Sequence, residues 1–210
     1  MGLRGWINRK RHNRGFGIQS PSAFFFVTQV LKEKRAYYAY PRLDKSIKGS
    51  RRHAREIFRI TNHLQPANCI SVGSADAACA MLLAKPSVQH YAFLHEAELK
   101  TEAKTLLGSN RCHITHSMEQ FNTVIKELGA IGMLYIKATE STMPLVQAAL
   151  PHTDAKSVIV VADIHSNKRT REWWQQIVSD TATVITYDMY SYGLIFFDKE
   201  RRKQHYTLKR

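Results

Sequence analysis

From Cys69 onward the chain alternates between short apolar runs and longer segments with helical spacing. Cys69 to Gly73 (CISVG), Tyr91 to His95 (YAFLH), Ile131 to Ile136 and the β-branched run Ser157 to Ala162 (SVIVVA) read as buried strands. His113 to Thr115 is a weaker strand. Between them the spacing predicts helices over Ala75–Ala84, Glu96–Leu107, Met118–Leu128, Met143–Leu150 and Lys168–Val178. Thr183 to Tyr187 and Leu194 to Phe197 are two further strands. Only Asp188 to Gly193 join them, too few residues for a helical crossover, so they should pair antiparallel.

The first third of the chain has a different texture. Gly15, Gly17 and Ser20-Pro21 punctuate an arm. A helix should follow from about Ser22, capped by Ser20 or Ser22, with Pro21 suited to its first turn. Phe24, Phe25, Val27, Val30 and Leu31 give it an apolar face, and Tyr37, Tyr38 and Tyr40 lead to Pro41. A second helix should run from about Lys48 to His63, stopped before Pro66. Five strands with helical connections predict an α/β fold: a mostly parallel sheet with helices on both faces and an antiparallel closing strand. Residues 1–66 read as a basic arm and helices packing on the core, and 67–210 as the α/β domain, together one structural unit.

Composition leaves this picture intact. A chain of 210 residues with 44% hydrophobic and 23% charged side chains can bury roughly 70% of its unfolded surface in one core. No apolar run approaches the ~18 residues that cross a bilayer, and the charged start lacks the apolar stretch of a secretory signal. Cys69, Cys79 and Cys112 show no metal spacing and fit reduced thiols in the cytoplasm, with Cys79 inert in an apolar helix.

Charge adds a question. The net charge is +14, but residues 1–55 hold 14 basic and 2 acidic side chains, residues 56–198 hold 11 and 14, and residues 199–210 hold 6 and 1. The basic character belongs to the two ends. Arg4, Arg9, Lys10, Arg11 and Arg14, with Trp6 and Phe16 interleaved, suit phosphate contact and base stacking. The same arm equally suits folding over its own domain or a subunit partner, with Phe16 and Ile18 as docking residues between glycines. Nucleic acid is therefore a partner that the arm allows and does not favour. The chain lacks HExxH, GxSxG and GxxxxGK[ST] patterns, which excludes the usual signatures of zinc proteases, α/β-hydrolases and P-loop enzymes.

Three segments carry a family resemblance. RGFGIQSPSAFFFVTQVL resembles the RHGFGIHSPFAF opening of a bacterial group of class I S-adenosylmethionine-dependent methyltransferases, common in Bacteroidetes. VVADIHSNKRTREWWQQI is similar to that group's FDDIHWS…W segment after the fifth strand, and GLIFFDKERRKQHYTL to its closing GIVFFR…KQHFTLR. The resemblance spans nearly the whole chain. It implies a seven-stranded Rossmann-like sheet with its last strand antiparallel, S-adenosylmethionine as cofactor, and a ligand crevice where the strand order reverses.

Carried over position by position, it implies a cofactor site at Ser71, Gly73, Ser74 and Ala75, with an acidic residue at the end of the second strand for the ribose. Glu96 fills that role in one register and His95 stands there in the other. It also implies Asp163 and His165 as the polar pair that orients or deprotonates a methyl acceptor; Lys137 in place of an aspartate after the fourth strand removes a metal ligand, so no metal is expected. Several positions depart from the family pattern. Ser71 stands where an acid is usual, Ala77 where a second glycine is usual, Lys137 for an aspartate after the fourth strand, and Ala162 for the first of two aspartates after the fifth. Two functions follow as expectations: methyl transfer to an unknown acceptor, or a degenerate methyltransferase fold that binds a partner without catalysis.

The bland readings stand beside these. Glycine suits any tight strand-to-helix turn, and Glu96 suits a helix N-terminus. Asp163 and His165 can be a pair that holds their loop, Asp76 a charge in a cap region, and Trp173 and Trp174 packing residues.

Overall fold

The computed structural model describes residues 20–95, 99–115, 117 and 119–208. The arm residues before Ser20, and Glu96 among the candidate site residues, lie outside them.

The helical extension opens with α1 (Pro21–Phe25), which widens into a π-helical turn over Phe26–Leu31. Ser20 caps it by accepting the Ala23 N–H, and Pro21 occupies the first turn, where it forfeits no helical hydrogen bond. Helix α2 (Tyr40–Ser46) was not expected; Pro41 sits in its first turn. Helix α3 (Arg51–Leu64) is capped by Ser50 and ends at Gln65, whose φ of 49° supplies the left-handed residue that often closes a helix before proline. Arg59 of α3 is buried. It donates from Nε to the Val30 carbonyl at 2.9 Å and from Nη2 to the Leu31 carbonyl at 2.8 Å, satisfying open carbonyls at the end of the π turn.

The alternating segment then runs β1 (Asn68–Val72), α4 (Ala75–Ala84), β2 (Gln89–Phe93), α5 (Thr101–Leu107), β3 (Cys112–Thr115) and α6 (Glu119–Leu128). It continues with β4 (Met133–Lys137), α7 (Met143–Ala149), β5 (Val158–Ala162), α8 (Lys168–Ser179), β6 (Ile185–Asp188), β7 (Tyr192–Phe196) and β8 (Gln204–Thr207). The sheet order is β3-β2-β1-β4-β5-β7-β6-β8. Strands β1 to β5 pair in parallel, β7 runs antiparallel between β5 and β6, and β8 pairs parallel with β6. The fold class is the expected one, with an eighth strand at the edge. That strand is polar (QHYT) and carries no apolar alternation; it is held by stacking of Tyr206 on Tyr187 and by the bond between His205 and Thr186.

Side chains alternate along the central strands, so two cores form. Cys69, Met133, Tyr135, Val158 and Val160 point to one face, where α1, α3 and α4 cover them. Ile70, Val72, Leu134, Ile136, Ile159 and Val161 point to the other, against α6, α7 and α8. Trp174 of α8 lies over Gly193 of β7 so closely that a Cβ there would stand 2.2 Å from the indole ring. Both tryptophans of α8 therefore pack, Trp174 buried and Trp173 partly so.

Gly193→Ala should destabilise the protein by about 1–3 kcal/mol, as overpacking of a tight core does. Denaturant unfolding checks this, and adding Trp174→Phe should recover part of the loss. Burial pushes the Cys69 and Cys79 thiols up to about 12 and Cys112 to about 11. A chromogenic aromatic disulfide at pH 8 should therefore react with the native protein far more slowly than with the denatured chain.

Candidate functional site

The strand order reverses between β1, which leads outward to β2 and β3, and β4, which starts the other half of the sheet. Open α/β sheets hold ligands at the carboxyl ends of strands at such a point. There β1 turns into α4 through Gly73, which is exposed and has φ +73°, a conformation that glycine adopts without strain. Its N–H donates to the Phe93 carbonyl at 2.9 Å, tying the turn to the end of β2.

The turn is held from within by Ser71 and Ser74. Ser71 is fully buried and donates its hydroxyl to the Ser74 carbonyl at 2.8 Å. Ser74 in turn caps α4 by accepting the Ala77 N–H at 3.2 Å. The Ser71 hydroxyl thus closes the loop on itself. Ala77 is buried in the first turn of α4, with no positive φ, and its methyl joins the core. The residue of this turn with positive φ is Gly73. Ala75, half-buried, begins the helix beside it.

Asp76 does more than sit in a cap region. Its carboxylate accepts the backbone N–H of Lys48 at 3.0 Å and of Gly49 at 2.8 Å. The linker between α2 and α3 is thereby fastened to the first turn of α4. A Cβ on Gly49 would come within 2.7 Å of Asp76 Oδ2, so the contact needs glycine. The sequence signal for it was Gly49 itself, in a short linker otherwise read as helix.

At the end of β2, Leu94 is buried and His95 is the first exposed side chain past the strand. At the end of β4, Lys137 lies beside the turn, its Cβ 3.5 Å from where a Gly73 Cβ would be. Its ammonium stands 3.9 Å from Asp163 Oδ2, with both side chains about half exposed. Ala162, which replaces an acid, is buried in the core at the last position of β5. Asp163 has φ +62° and donates its N–H to the Ser191 carbonyl at 2.7 Å.

Asp163 and His165 each take a different partner. Asp163 faces Lys137, whereas His165 Nε2 bonds Asp188 Oδ2 at 2.7 Å. Asp188, buried at the end of β6, also accepts the Tyr190 N–H on Oδ1 at 2.7 Å. The Tyr190 ring stacks on the imidazole at 5.2 Å and 14°. Tyr190 itself has φ +70°. The β6–β7 connection thus supplies a carboxylate and a ring that fix His165, two residues that the sequence pattern did not single out. Among the described residues no group of three His, Cys, Asp or Glu side chains is arranged to hold a metal, and no helix is long and apolar enough to cross a membrane.

Asp76→Ala should lower stability by about 1–3 kcal/mol, the range for hydrogen bonds to a charged group. Amide exchange should quicken most at Lys48 and Gly49, where the two N–H groups lose their acceptor; unchanged exchange there would contradict the assignment.

No family model matches the sequence, and no curated protein matches it. Solved structures do match over most of its length. PaMTH1, a methyltransferase of Podospora anserina solved with S-adenosylhomocysteine, has a TM-score of 0.61 at 10% identity, over 85% of this chain and 96% of that one. TomG, an O-methyltransferase of Streptomyces achromogenes solved with S-adenosylmethionine, has a TM-score of 0.60 at 12% identity, over 90% and 98%. An O-methyltransferase of Bacillus cereus solved with S-adenosylhomocysteine has a TM-score of 0.58 at 10% identity, over 83% and 96%. At such identities the likeness is one of fold, and that fold is the class I methyltransferase sheet.

Proposed function

We propose that the protein is an S-adenosylmethionine-dependent methyltransferase with the cofactor bound over the Gly73 turn. The observation that carries this reading is Gly73 at positive φ, exposed at the strand-order reversal, in a fold whose solved relatives include proteins bound to S-adenosylmethionine or S-adenosylhomocysteine. The turn fits such a group: Ser71 and Ser74 hold its shape by bonds to the Ser74 carbonyl and the Ala77 N–H, and no side chain projects from Gly73. Backbone from Gly73 to Ala75 approaches the ligand, and Glu96, next to His95, is the acid assigned to the ribose.

The cofactor, when bound, supplies a methyl on a sulfonium that leaves as a neutral thioether. The chain's own residues align and deprotonate the acceptor. His165 takes the acceptor's proton as the new bond to the methyl forms. The Asp188 carboxylate, 2.7 Å from His165 Nε2, orients the ring and stabilises the imidazolium that results. Asp163, beside Lys137, orients the acceptor at the mouth of the crevice.

A second reading rests on Lys137. Its ammonium at the mouth of the crevice, paired with Asp163, suits a methyltransferase fold kept for binding a partner, with the basic ends contacting an acidic protein or nucleic acid. Isothermal titration separates the two. Saturable binding of S-adenosylmethionine and S-adenosylhomocysteine is expected, weakened at least about tenfold by Gly73→Val, because a β-branched residue resists positive φ. Absence of binding at millimolar cofactor rejects the first reading. Transfer of a labelled methyl to any acceptor, lost in His165→Ala, rejects the second.

A further inference from the structure

The sheet has a second concave site at its opposite edge. A cavity of about 690 Å³ opens where β1, β4, β5 and β6 begin, between the last turn of α3, the β8-proximal loop and the α-to-π junction of α1. It lies at the amino ends of the parallel strands, away from Gly73, Lys137 and Asp163 at their carboxyl ends. Its volume falls in the range of pockets that enclose small organic ligands.

One wall is aromatic. Phe26 packs edge-on against Phe196 at 5.4 Å and lies 5.6 Å from Tyr187. His63 adds a ring 6.0 Å from Phe26 and 5.9 Å from Phe25. Phe26 is 6% exposed but Phe25, its neighbour, is 51% exposed, so a large apolar side chain stands open at the rim. The floor is rigid. Asn68 accepts the Gly132 N–H at 2.9 Å and donates to the Ala130 carbonyl at 2.9 Å. A Cβ on Gly132 would meet the Asn68 carbonyl oxygen at 2.7 Å.

The rim charges are unequally engaged. Asp154 takes the Lys156 N–H at 2.8 Å and the Ser157 hydroxyl at 3.0 Å. Asp198 takes Arg201 Nε at 2.9 Å and the Glu200 N–H at 3.2 Å. Arg201 also donates to Ser22 at 2.9 Å. The Lys156 ammonium has no hydrogen-bond or ion-pair partner among the described residues. It stands where this cavity adjoins a second one of about 850 Å³ that shares Asp154, Lys156 and Asp198 with it.

We infer that this cavity is a binding site, separate from the cofactor crevice, for a small organic anion. The ligand's aromatic or apolar body lies against Phe25, Phe26 and Phe196, and its anionic group pairs with Lys156. The inference stands apart from the methyltransferase reading, because none of its residues borders the Gly73 turn.

Two probes of one shape test it: naphthalene-2-sulfonate, which carries the charge, and naphthalene-2-methanol, which does not. Each is titrated into the full chain, with and without S-adenosylhomocysteine, while backbone amide resonances are followed. Saturable shifts are expected at Ala67, Ala130, Gly132 and Ala155, unchanged by S-adenosylhomocysteine. Lys156→Glu should weaken the sulfonate about three- to fivefold, the upper range for loss of an exposed ion pair, and leave the alcohol within about 1.5-fold. Phe25→Ala should weaken both. Shifts confined to the Gly73 turn, equal loss of both probes in Lys156→Glu, or no saturable shift at millimolar probe overturns the inference. None of these outcomes bears on cofactor binding, which isothermal titration reads separately.

Discussion

Every residue of β1 and β5 is buried, and this double burial sets the rest of the architecture. A strand hidden on both faces presents alternate residues to two separate covers, and each cover must supply its own apolar surface. On one side α6, α7 and α8 do so. On the other, α4 is short and alanine-rich, and leaves room that α1 and α3 fill with Phe26, Val27, Val30, Ile57, Phe58 and Ile60. The extension is therefore a working layer of the core. The loop between α2 and α3 is held against α4 by Asp76, so the layer that covers the sheet also fixes the backbone behind the candidate cofactor turn.

The strands were legible because burial on both faces leaves a run such as SVIVVA with no polar position to misread. The elements that the sequence concealed are those whose stability comes from elsewhere. Helix α2 begins at a proline, and its helical state is held by Leu43 in the core and by Arg55, which reaches Asp44 with Nε at 3.2 Å and lies 4.6 Å above the Tyr40 ring. Strand β8 is polar and pairs at the sheet edge, where a backbone ladder and cross-strand contacts such as Tyr206 on Tyr187 suffice. Helix α5 begins at Thr101 rather than near Glu96, although apolar spacing alone extends it further. Spacing reports which face is apolar and says little about where the backbone stops.

Less of the site was legible than of the fold. Gly73 could be found because its conformation demands glycine. Asp163 and His165 could be found as polar residues after a buried strand, but not their partners. Asp188 lies 23 residues beyond His165, and only the antiparallel insertion of β7 brings the end of β6 beside the loop after β5. Ser71 and Ala77 looked like losses when read against a motif. In place, one closes the turn and the other packs under it.

The net charge of +14 admits a similar sorting. Arg59 and Arg55 join helices of the extension, Arg201 ties the last loop to Asp198 and to Ser22, and Lys203 donates to the carbonyls of Asp180 and Thr183. These cations hold the helices of the extension and the last loop onto the sheet. At the carboxyl ends of the strands the cation is Lys137, and at their amino ends it is Lys156. Lys137 shares Asp163 across 3.9 Å in partly solvated surroundings, so that pair is weak enough to be exchanged for a bound anion. Lys156 has no such pair to exchange among the described residues. A parallel sheet aligns its strands so that all the loops at one end differ in sequence from all those at the other. The two ends of the strands thus present different cations and different walls, while one doubly covered core stabilises both.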